Sequence, residues 1–306
     1  MSNKTPVNIA ASVLARLKNL AVQRGWNFMH MLTRYGIERF LFRLGASEYA
    51  RQFVLKGGNM FVIWQNGNNS RPTIDSDLLC YGDVSDEHLK QVFTELCDMP
   101  GIPDDGVVFD SGSIRISPIR ETAEYGGTRI VFTAFIGMVR FPLQFDIGVG
   151  DVVTPASEYA VFPVLLQTMK APRLWVYPMA TAIAEKASAM VALGVNNSRI
   201  KDFYDIWLLS RMAEHDYQTL ASAIYNTFER SRIPMPSSPP VAWKSEFGTS
   251  QVKRAQWAGF LRKNPMLDAP ANFNEVVACV AQFLTPIFFP ADSKPTKWIP
   301  GQGWTM

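Results

Sequence analysis

The 306-residue sequence contains few of the residues on which soft-metal sites and many hydrolases depend. Only three cysteines and three histidines are present. The cysteines lie far apart, at Cys80, Cys97 and Cys279. An odd number at such spacing argues against both a disulfide framework and a thiolate metal site. The histidines also lack the spacing of metal ligands, so the sequence gives little indication of a zinc hydrolase or a Ser-His-Asp hydrolase.

Long hydrophobic runs are also missing. The longest apolar stretches, such as "MVALGV" and "FLTPIFF", are far shorter than the roughly 20 residues that cross a bilayer. The N-terminal stretch "MSNKTPVNIAASVLARLKNLAVQRG" has apolar residues at helical spacing, not the continuous apolar core of a signal peptide. With 47% hydrophobic and 19% charged residues, the composition is typical of a globular protein. We expect a cytoplasmic protein without a membrane partner.

The chain has little net charge, but that charge is unevenly distributed. The total is +3, whereas residues 1–51 hold eight Lys or Arg against two acidic residues, Glu38 and Glu48. One interpretation is an electropositive surface that meets a polyanion. The alternative is a solvated helical face on which basic side chains cover apolar surface with their aliphatic stems.

Hydrophobic periodicity predicts a mixed architecture. Residues 8–22 and 26–44 have helical spacing, and a further helix is predicted over 86–98. Short β-rich segments occupy the middle of the chain: "FVLK", "MFVIW", "TIDSDLLCY", "GSIRISPI", "TRIVFTAFIG" and "RFPLQFDIGVG". Helical patterns return in "YPMATAIAEKASAMVALG", "NSRIKDFYDIWLLSRMAEH" and "FNEVVACVAQFLTPIFF". We predict an α/β (α+β) fold with a helical region over 1–49, a small mixed-sheet core over 50–170 and a helical domain over 171–306.

The middle region contains a pair of aspartates, Asp75 and Asp77, in "RPTIDSDLL". In a strand, residues two apart point to the same face. Two carboxylates about 6 Å apart repel by about 3 kcal/mol at an effective dielectric of 20, so a cation is expected between them. An all-oxygen site suits Mg²⁺. The alternative is a solvated pair in Asx-turns, and about two such pairs arise by chance in a chain with 27 acidic residues.

A third carboxylate, Asp146, is the lone charge in "PLQFDIGV", where it alternates with apolar residues. If its strand pairs with the strand of Asp75 and Asp77, the three carboxylates converge. Such a set can hold two Mg²⁺ ions for a phosphoryl or nucleotidyl transfer, and Asp146 could help to form the attacking alkoxide. The alternative is a strand-end turn residue ahead of Gly148.

Two further features suit a phosphate-binding site. Gly57 and Gly58 follow the apolar segment "FVL" and its lysine, and glycine amides can approach a triphosphate closely. Lys186 shares a helical stripe with apolar residues at spacings of three and four. A lysine there either snorkels to the surface or points into a site.

Five motifs in order, "FVLKGGNMF", "RPTIDSDLL", "PLQFDIGVGD", "IAEKASAMVALG" and "NSRIKDFYDIWLL", resemble the AbiEii/AbiGii toxin family. This family lies within the DNA polymerase β-like nucleotidyltransferase superfamily. The similarity spans most of residues 14–210. The pattern of the superfamily is a glycine turn, a pair of carboxylates separated by one residue and a third carboxylate on a neighbouring strand. Asn59 departs from it, because family members often have a small or apolar residue there.

The resemblance implies roles for individual residues. The residues expected to bind the metal are Asp75, Asp77 and Asp146. The residues expected to take part in catalysis are these three together with Lys186, Asp202 and Asp205. The residues expected to contact the nucleotide are Lys56, Gly57, Gly58, Arg71, Thr73, Lys186 and Arg199. Asp202 and Asp205 would position Lys186 or the acceptor strand, although Lys201 and Asp205 could instead form a plain surface pair. Lys186 is expected to contact a nucleotide phosphate, and its replacement by Ala to leave the melting temperature nearly unchanged.

The resemblance also implies an activity. A Mg²⁺-dependent nucleotidyltransferase would move a nucleoside monophosphate from an NTP to an acceptor hydroxyl and release pyrophosphate. It would be the toxin of an AbiE-type (type IV) toxin–antitoxin system that serves phage defence by abortive infection, with an AbiEi-like antitoxin encoded nearby. Some relatives act on tRNA 3′ ends. The alternatives are nucleotidylation of a protein or small molecule, and a nucleotide-binding module without turnover.

Overall fold

The computed structural model describes residues 8–68, 73–119, 126–265 and 267–306. The chain forms two compact units. The first consists of the described residues up to Gly150 together with Glu158–Val176, and the second of Asp151–Ser157 and Tyr177–Met306. The predicted helical region 1–49 falls in the first unit. A mixed sheet with helical regions confirms the predicted α/β (α+β) class.

The first unit begins with the two predicted helices, α1 (Ile9–Arg24) and α2 (Phe28–Ala46). Asn8 caps α1 by accepting a hydrogen bond from a backbone N–H of its first turn, and Asn27 does the same for α2. Between them, Gly25 has a left-handed φ of 62°, which ends α1 where a residue with a side chain would be strained. Local capping therefore fixes the helical hairpin.

Seven strands form the sheet of the first unit. They are β1 (Phe53–Lys56), β2 (Asp75–Cys80), β3 (Val108–Pro118), β4 (Thr128–Ile136), β5 (Val139–Val149), β6 (Glu158–Val161) and β7 (Arg173–Val176). Their order is β3-β4-β5-β2-β1-β7-β6. The β2–β5 and β1–β7 pairs are parallel, and the remaining pairs are antiparallel. Strands β1 to β5 were predicted, whereas the short strands β6 and β7 were not.

One predicted strand is wrong. The segment "MFVIW" forms a short helix, α3 (Met60–Trp64), which continues from a 3-10 turn over Gly57–Asn59. A run of five apolar residues has no period that separates a helix from a strand. The predicted helix between the strands is present as α4 (Asp86–Cys97), and the side chain of Ser85 caps it.

The core of the first unit is aromatic. Phe40 of α2 packs against Phe93 of α4 and against Phe132 and Phe145 of the sheet, with ring centroids 4.6 to 5.1 Å apart. Burying each such side chain contributes about 1.5–3 kcal/mol. The two helices thus cover the sheet face that carries Phe145. Because alternate residues point to opposite faces, Asp146 lies on the other face.

The second unit is mainly helical. Its helices are α5 (Met179–Leu193), α6 (Ile200–Met212), α7 (Tyr217–Arg230), α8 (Ser245–Thr249), α9 (Gln251–Lys263) and α10 (Phe273–Phe288). Three short strands, β8 (His215–Asp216), β9 (Lys297–Ile299) and β10 (Gly303–Thr305), form a small sheet in the order β10-β9-β8. Helices α5, α6 and α10 were predicted, and the small sheet was not. Within the described ranges, no helix combines the length and the apolarity that crossing a membrane requires.

A buried ionic cluster within the first unit accounts for part of the basic N-terminal charge. The carboxylate of Glu38 is fully buried, 3.3 Å from NH1 of Arg34 and 2.9 Å from NH2 of Arg39. It also accepts a hydrogen bond from the backbone N–H of Leu165, while the two arginines donate to the carbonyls of Pro163 and Lys170. These arginines hold α2 to the 163–170 segment, so they contribute to neither a polyanion surface nor a solvated face.

We predict that Glu38→Ala destabilises the protein by about 3–5 kcal/mol, because two buried guanidinium groups lose their carboxylate. Urea unfolding measures the loss. The matched control is Glu48→Ala, which removes an exposed carboxylate near the end of α2 and should change the unfolding free energy by less than about 0.5 kcal/mol. Equal effects of the two substitutions would contradict the structural role of the cluster.

Candidate active site

Four neighbouring strands place charged residues at one level of the sheet. Asp77 of β2 lies opposite Lys56 of β1 on one side and opposite Asp146 of β5 on the other. Asp146 in turn lies opposite Arg129 of β4. Residues opposite each other across paired strands share a face. The result is a row of four charges, Arg129, Asp146, Asp77 and Lys56, which we call the charge row.

Asp75 adds a third carboxylate on the same face. It lies two residues before Asp77 and opposite Gln144 of β5. Both aspartates are half-buried and lie inside a strand, with the fully buried Ser76 between them pointing to the other face. Asp146 also lies within its strand. The turn-based alternatives for these three residues are therefore wrong, and the strand pairing on which convergence depended is present.

The carboxylate of Asp146 is bound on the β4 side. Arg129 donates from Nε to Oδ1 at 2.8 Å and from NH2 to Oδ2 at 2.7 Å, a two-pronged ion pair. Gln144 donates a third hydrogen bond to Oδ1 at 3.2 Å. The side chain of Asp146 is 13% exposed, whereas that of Arg129 is 40% exposed. Asp146 is thus fixed by a partner that reaches solvent.

The ligand atoms are of the type that a hard divalent cation prefers, because three carboxylates on one face offer only oxygen. The positions of these carboxylates do not yet form a metal site. Among residues 8–68, 73–119, 126–265 and 267–306, no group of three or more His, Cys, Asp or Glu side chains is placed to hold a metal ion. Asp146 directs both oxygens to Arg129. A divalent cation at this face would be held by Asp75 and Asp77, and Asp146 would join them only after it leaves Arg129.

The glycine turn packs directly against Asp77. Gly57 has a φ of +68°, and a Cβ atom built there would lie 2.6 Å from the carboxylate carbon of Asp77. Neither the backbone conformation nor the space admits a side chain. One residue beyond Gly58, the buried Asn59 donates from Nδ2 to the carbonyl of Asp75 at 2.9 Å. The turn is thus joined to β2 at both aspartates.

Among the other residues assigned to nucleotide binding, Thr73 is buried just before β2 and Lys56 immediately precedes the glycine turn. Arg71 lies outside the described residues.

The remaining predicted residues form a cluster within the second unit. Nζ of Lys186, on α5, donates to Asp202 at 3.1 Å and to Asp205 at 2.8 Å, both on α6. Residues three apart on a helix project to the same side, which explains how both carboxylates reach one amine. Arg199 adds an ion pair from Nε to Asp202 at 2.9 Å. We call these four residues the lysine cluster.

Burial and pairing act in opposite directions on these groups. The Asp202 and Asp205 side chains are 0% and 1% exposed, and that of Lys186 is 14% exposed. Burial by itself would lower the pKa of Lys186, but the two carboxylates outweigh it and raise this pKa above its ordinary value. Burial would raise the pKa of Asp202, but Lys186 and Arg199 lower it overall. Lys186 and Asp202 are therefore held in their charged forms.

The structure bears on two interpretations of this region. The alternative of a surface pair between Lys201 and Asp205 is wrong, because Asp205 is buried against Lys186. The expectation that replacing Lys186 leaves the melting temperature nearly unchanged assumed an exposed side chain, whereas that side chain is 14% exposed and paired with two carboxylates. The position of Lys186 on an apolar stripe indicated that its side chain points inward. The sequence did not reveal that two carboxylates bind its amine.

Arg129 and Asn59 are site residues that sequence reasoning missed or undervalued. A signal for Arg129 was available, because the β4–β5 hairpin turns at Gly137 and Met138, with Ile136 opposite Val139. Counting back from a two-residue turn places Arg129 opposite Asp146. For Asn59 the sequence offers no signal, since its partner is a main-chain carbonyl 16 residues away.

A cavity of about 1110 Å³ lies elsewhere in the second unit. It is lined by α9 and the start of α10, including Arg254, Trp257 and Phe273, and its lining contains neither a carboxylate nor a lysine. This cavity therefore lacks the carboxylates that a nucleotidyl transfer needs. We identify the candidate site from its charged side chains and not from the volume of a cavity.

Comparison with known proteins places the chain among nucleotidyl transferases. Residues 39–279 match the family described as nucleotidyl transferase AbiEii toxin, type IV TA system. Among solved structures, JHP933 from Helicobacter pylori shares 13% identity at a TM-score of 0.46, covering 82% of this chain and 88% of that one. A candidate nucleotidyltransferase from H. pylori shares 14% identity at a TM-score of 0.42, covering 82% and 90%. No curated protein matches.

We predict that Gly57→Ala destabilises the protein by more than its left-handed backbone alone explains. The matched control is Gly101→Ala, where φ is +74° and an added Cβ meets nothing within 4 Å. The control should cost about 1–2 kcal/mol. Gly57→Ala should cost about 1–3 kcal/mol more, because Asp77 must move. Thermal unfolding of both variants measures the difference, and equal losses would contradict the contact with Asp77.

We predict that Lys186→Met lowers the free energy of unfolding at pH 7 by about 3–5 kcal/mol, since two buried carboxylates lose the amine that both of them bind. Lys201→Met, which removes an exposed lysine from α6, should change it by less than about 0.5 kcal/mol.

The stability difference between Lys186→Met and the parent should also depend on pH. In the parent, Lys186 and Arg199 hold the pKa of Asp202 below its ordinary value although burial opposes them, so the contribution of Asp202 to stability is complete above about pH 4 and is lost only as the pH falls further. In Lys186→Met, Asp202 loses one of the cations that offset its burial, so its pKa rises relative to the parent and proton uptake favours the folded state as the pH falls. The deficit relative to the parent should therefore shrink between pH 7 and pH 4. A constant deficit would show that the loss comes from packing.

Proposed function

Because the chain belongs to the AbiEii nucleotidyl transferase toxin family of type IV toxin–antitoxin systems, we propose that it transfers a nucleoside monophosphate from an NTP to an acceptor hydroxyl and releases pyrophosphate. The carrying observation is the placement of Asp75, Asp77 and Asp146 on one sheet face, directly beside a glycine turn. The family implies an NTP substrate and an antitoxin partner.

In this proposal each residue near the turn has a defined task. Asp75 and Asp77 would hold Mg²⁺, which would neutralise charge on the triphosphate and the departing pyrophosphate. Asp146, once released from Arg129, would accept the proton of the attacking hydroxyl. The backbone of Gly57 and Gly58 approaches the phosphates, where a side chain would not fit. Lys56 and Thr73 are assigned to the same nucleotide, as is Arg71, whose structure is not described.

The lysine cluster is proposed to contribute a fixed positive charge. An ammonium group has three N–H donors, and two of those of Lys186 are used by Asp202 and Asp205. The third is assigned to a phosphate oxygen of the nucleotide. Asp202 and Asp205 act as positioning residues, since they fix the direction of Nζ. Arg199, which is paired with Asp202 and partly exposed, is assigned to the nucleotide as well.

For the acceptor we propose an RNA hydroxyl, with the tRNA 3′ end as the specific candidate, because some proteins of the family that the motifs resemble act there. We further propose that the protein acts in the cytoplasm, that its antitoxin is an AbiEi-like protein encoded nearby, and that the pair serves phage defence by abortive infection. The family supports the toxin–antitoxin assignment.

Transfer of label tests the activity and the acceptor together. Each α-³²P-labelled NTP is incubated with the protein, Mg²⁺ and total RNA, total protein or small-molecule extract. Label in RNA that maps to tRNA 3′ ends supports the proposal. Label in protein or in small molecules supports a different acceptor. NTP binding without any transfer would contradict the enzymatic assignment in favour of a binding module.

We predict that replacing both Asp75 and Asp77 by Asn abolishes both transfer and stabilisation by Mg²⁺. For the parent, Mg²⁺ at 100 times its Kd should add about 2.7 kcal/mol to stability relative to chelator. The double Asn variant should show no such gain. The matched control, Glu48→Gln with Asp98→Asn, removes two exposed carboxylates and should retain both the gain and the transfer. A double Asn variant that still transfers nucleotide would refute the assignment.

A further inference from the structure

We propose that Arg129 competes with the divalent cation for Asp146 and thereby sets the metal concentration at which the third carboxylate becomes a ligand. This proposal rests on the proposed function, because it concerns the same metal site. It starts from the ion pair itself, in which two guanidinium nitrogens of Arg129 bind both oxygens of Asp146 at 2.8 and 2.7 Å. An arginine fork matches a carboxylate in this geometry better than a lysine can.

The sheet register gives the Asp146 carboxylate two alternative directions. Arg129 lies directly opposite it on β4, and Asp77 lies directly opposite it on β2. Neighbouring strands are about 4.8 Å apart, so the side chain can reach either neighbour. Turning toward Asp77 brings two negative charges closer together, so a cation bound between them would favour that direction. Turning toward Arg129 is the arrangement observed.

The exposed fractions of the Arg129 and Asp146 side chains indicate which of them can move into solvent. The side chain of Arg129 is 40% exposed, so its guanidinium can be rehydrated after it leaves Asp146. The Asp146 side chain, at 13% exposure, cannot move into solvent to the same extent. Metal binding at the third carboxylate therefore leaves the Arg129 guanidinium in solvent, while the Asp146 carboxylate turns toward Asp77 within the sheet face. The cost of breaking the two-pronged pair appears as weaker metal binding.

A purely structural role explains the pair less well. Strands β4 and β5 are already paired at nine successive positions, from Thr128 opposite Ile147 to Ile136 opposite Val139. A partly exposed ion pair adds little to such a ladder. The same pair placed beside Asp77 changes the charge of the metal site directly. Its position in the charge row therefore indicates an effect on metal affinity.

Mn²⁺ titration followed by electron paramagnetic resonance tests this without any NTP. We expect Arg129→Gln to bind Mn²⁺ about tenfold more tightly than the parent, because both the competing cation and its positive charge are gone. Arg129→Lys, which keeps the charge but not the fork, should bind with an affinity between the two. It also provides an independent measurement should the glutamine variant fail to fold.

Arg140→Gln is the matched control, because it removes an exposed arginine from β5 itself. It lies six residues from Asp146, roughly 20 Å along the strand and beyond the Debye length of about 10 Å at 0.1 M salt. Its Mn²⁺ affinity should equal that of the parent.

The outcomes separate this inference from the proposed function. Parent-like or weaker Mn²⁺ binding by folded Arg129→Gln overturns the role of Arg129, while the parent's own binding still supports the metal site. If Arg129→Gln binds Mn²⁺ and the parent does not, the competition is stronger than expected and the inference stands. If neither protein binds Mn²⁺, both the inference and the metal-dependent proposal fail.

Discussion

Two carboxylates facing each other on adjacent strands are the constraint around which the candidate site is built. Asp77 and Asp146 occupy directly opposed positions of the parallel β2–β5 pair. Such a pair is unfavourable unless positive charge lies nearby. The sheet supplies it at both ends of the charge row, through Lys56 on β1 and Arg129 on β4. Even the glycine turn follows from this constraint, because Gly57 leaves the space that the carboxylate of Asp77 occupies.

The same physics operates at two other places in the molecule. In the first unit, Glu38 is fully buried between Arg34 and Arg39. In the second unit, Asp202 and Asp205 are buried against Lys186. In each case a charge that would be costly to bury alone is offset by opposite charges within the same unit. The lysine cluster and the charge row differ in one respect, because Arg129 is far more exposed than Lys186. That difference is the reason why displacement is proposed for Arg129 and not for Lys186.

Several elements could be predicted because the information they need is local. The helical spacing of α1, α2, α5 and α6, and the alternation in β2 and β5, are properties of short stretches of chain. The same alternation showed that Asp75 and Asp77 share a face. Prediction failed where local pattern is absent, as in the apolar run that forms α3 and in the four-residue strands β6 and β7.

The candidate residues could be read directly from the chain: a glycine pair, two aspartates one residue apart, a lone aspartate in an apolar strand and a lysine on an apolar stripe. Their partners became visible only in the folded protein. Asp146 lies opposite Asp77 but binds Arg129, and Lys186 meets both carboxylates of α6. The physical reason is that periodicity is a short-range property of the backbone. Strand register and helix packing instead depend on residues far apart in the chain, such as Val54 of β1 opposite Trp175 of β7, which meet only when the core forms.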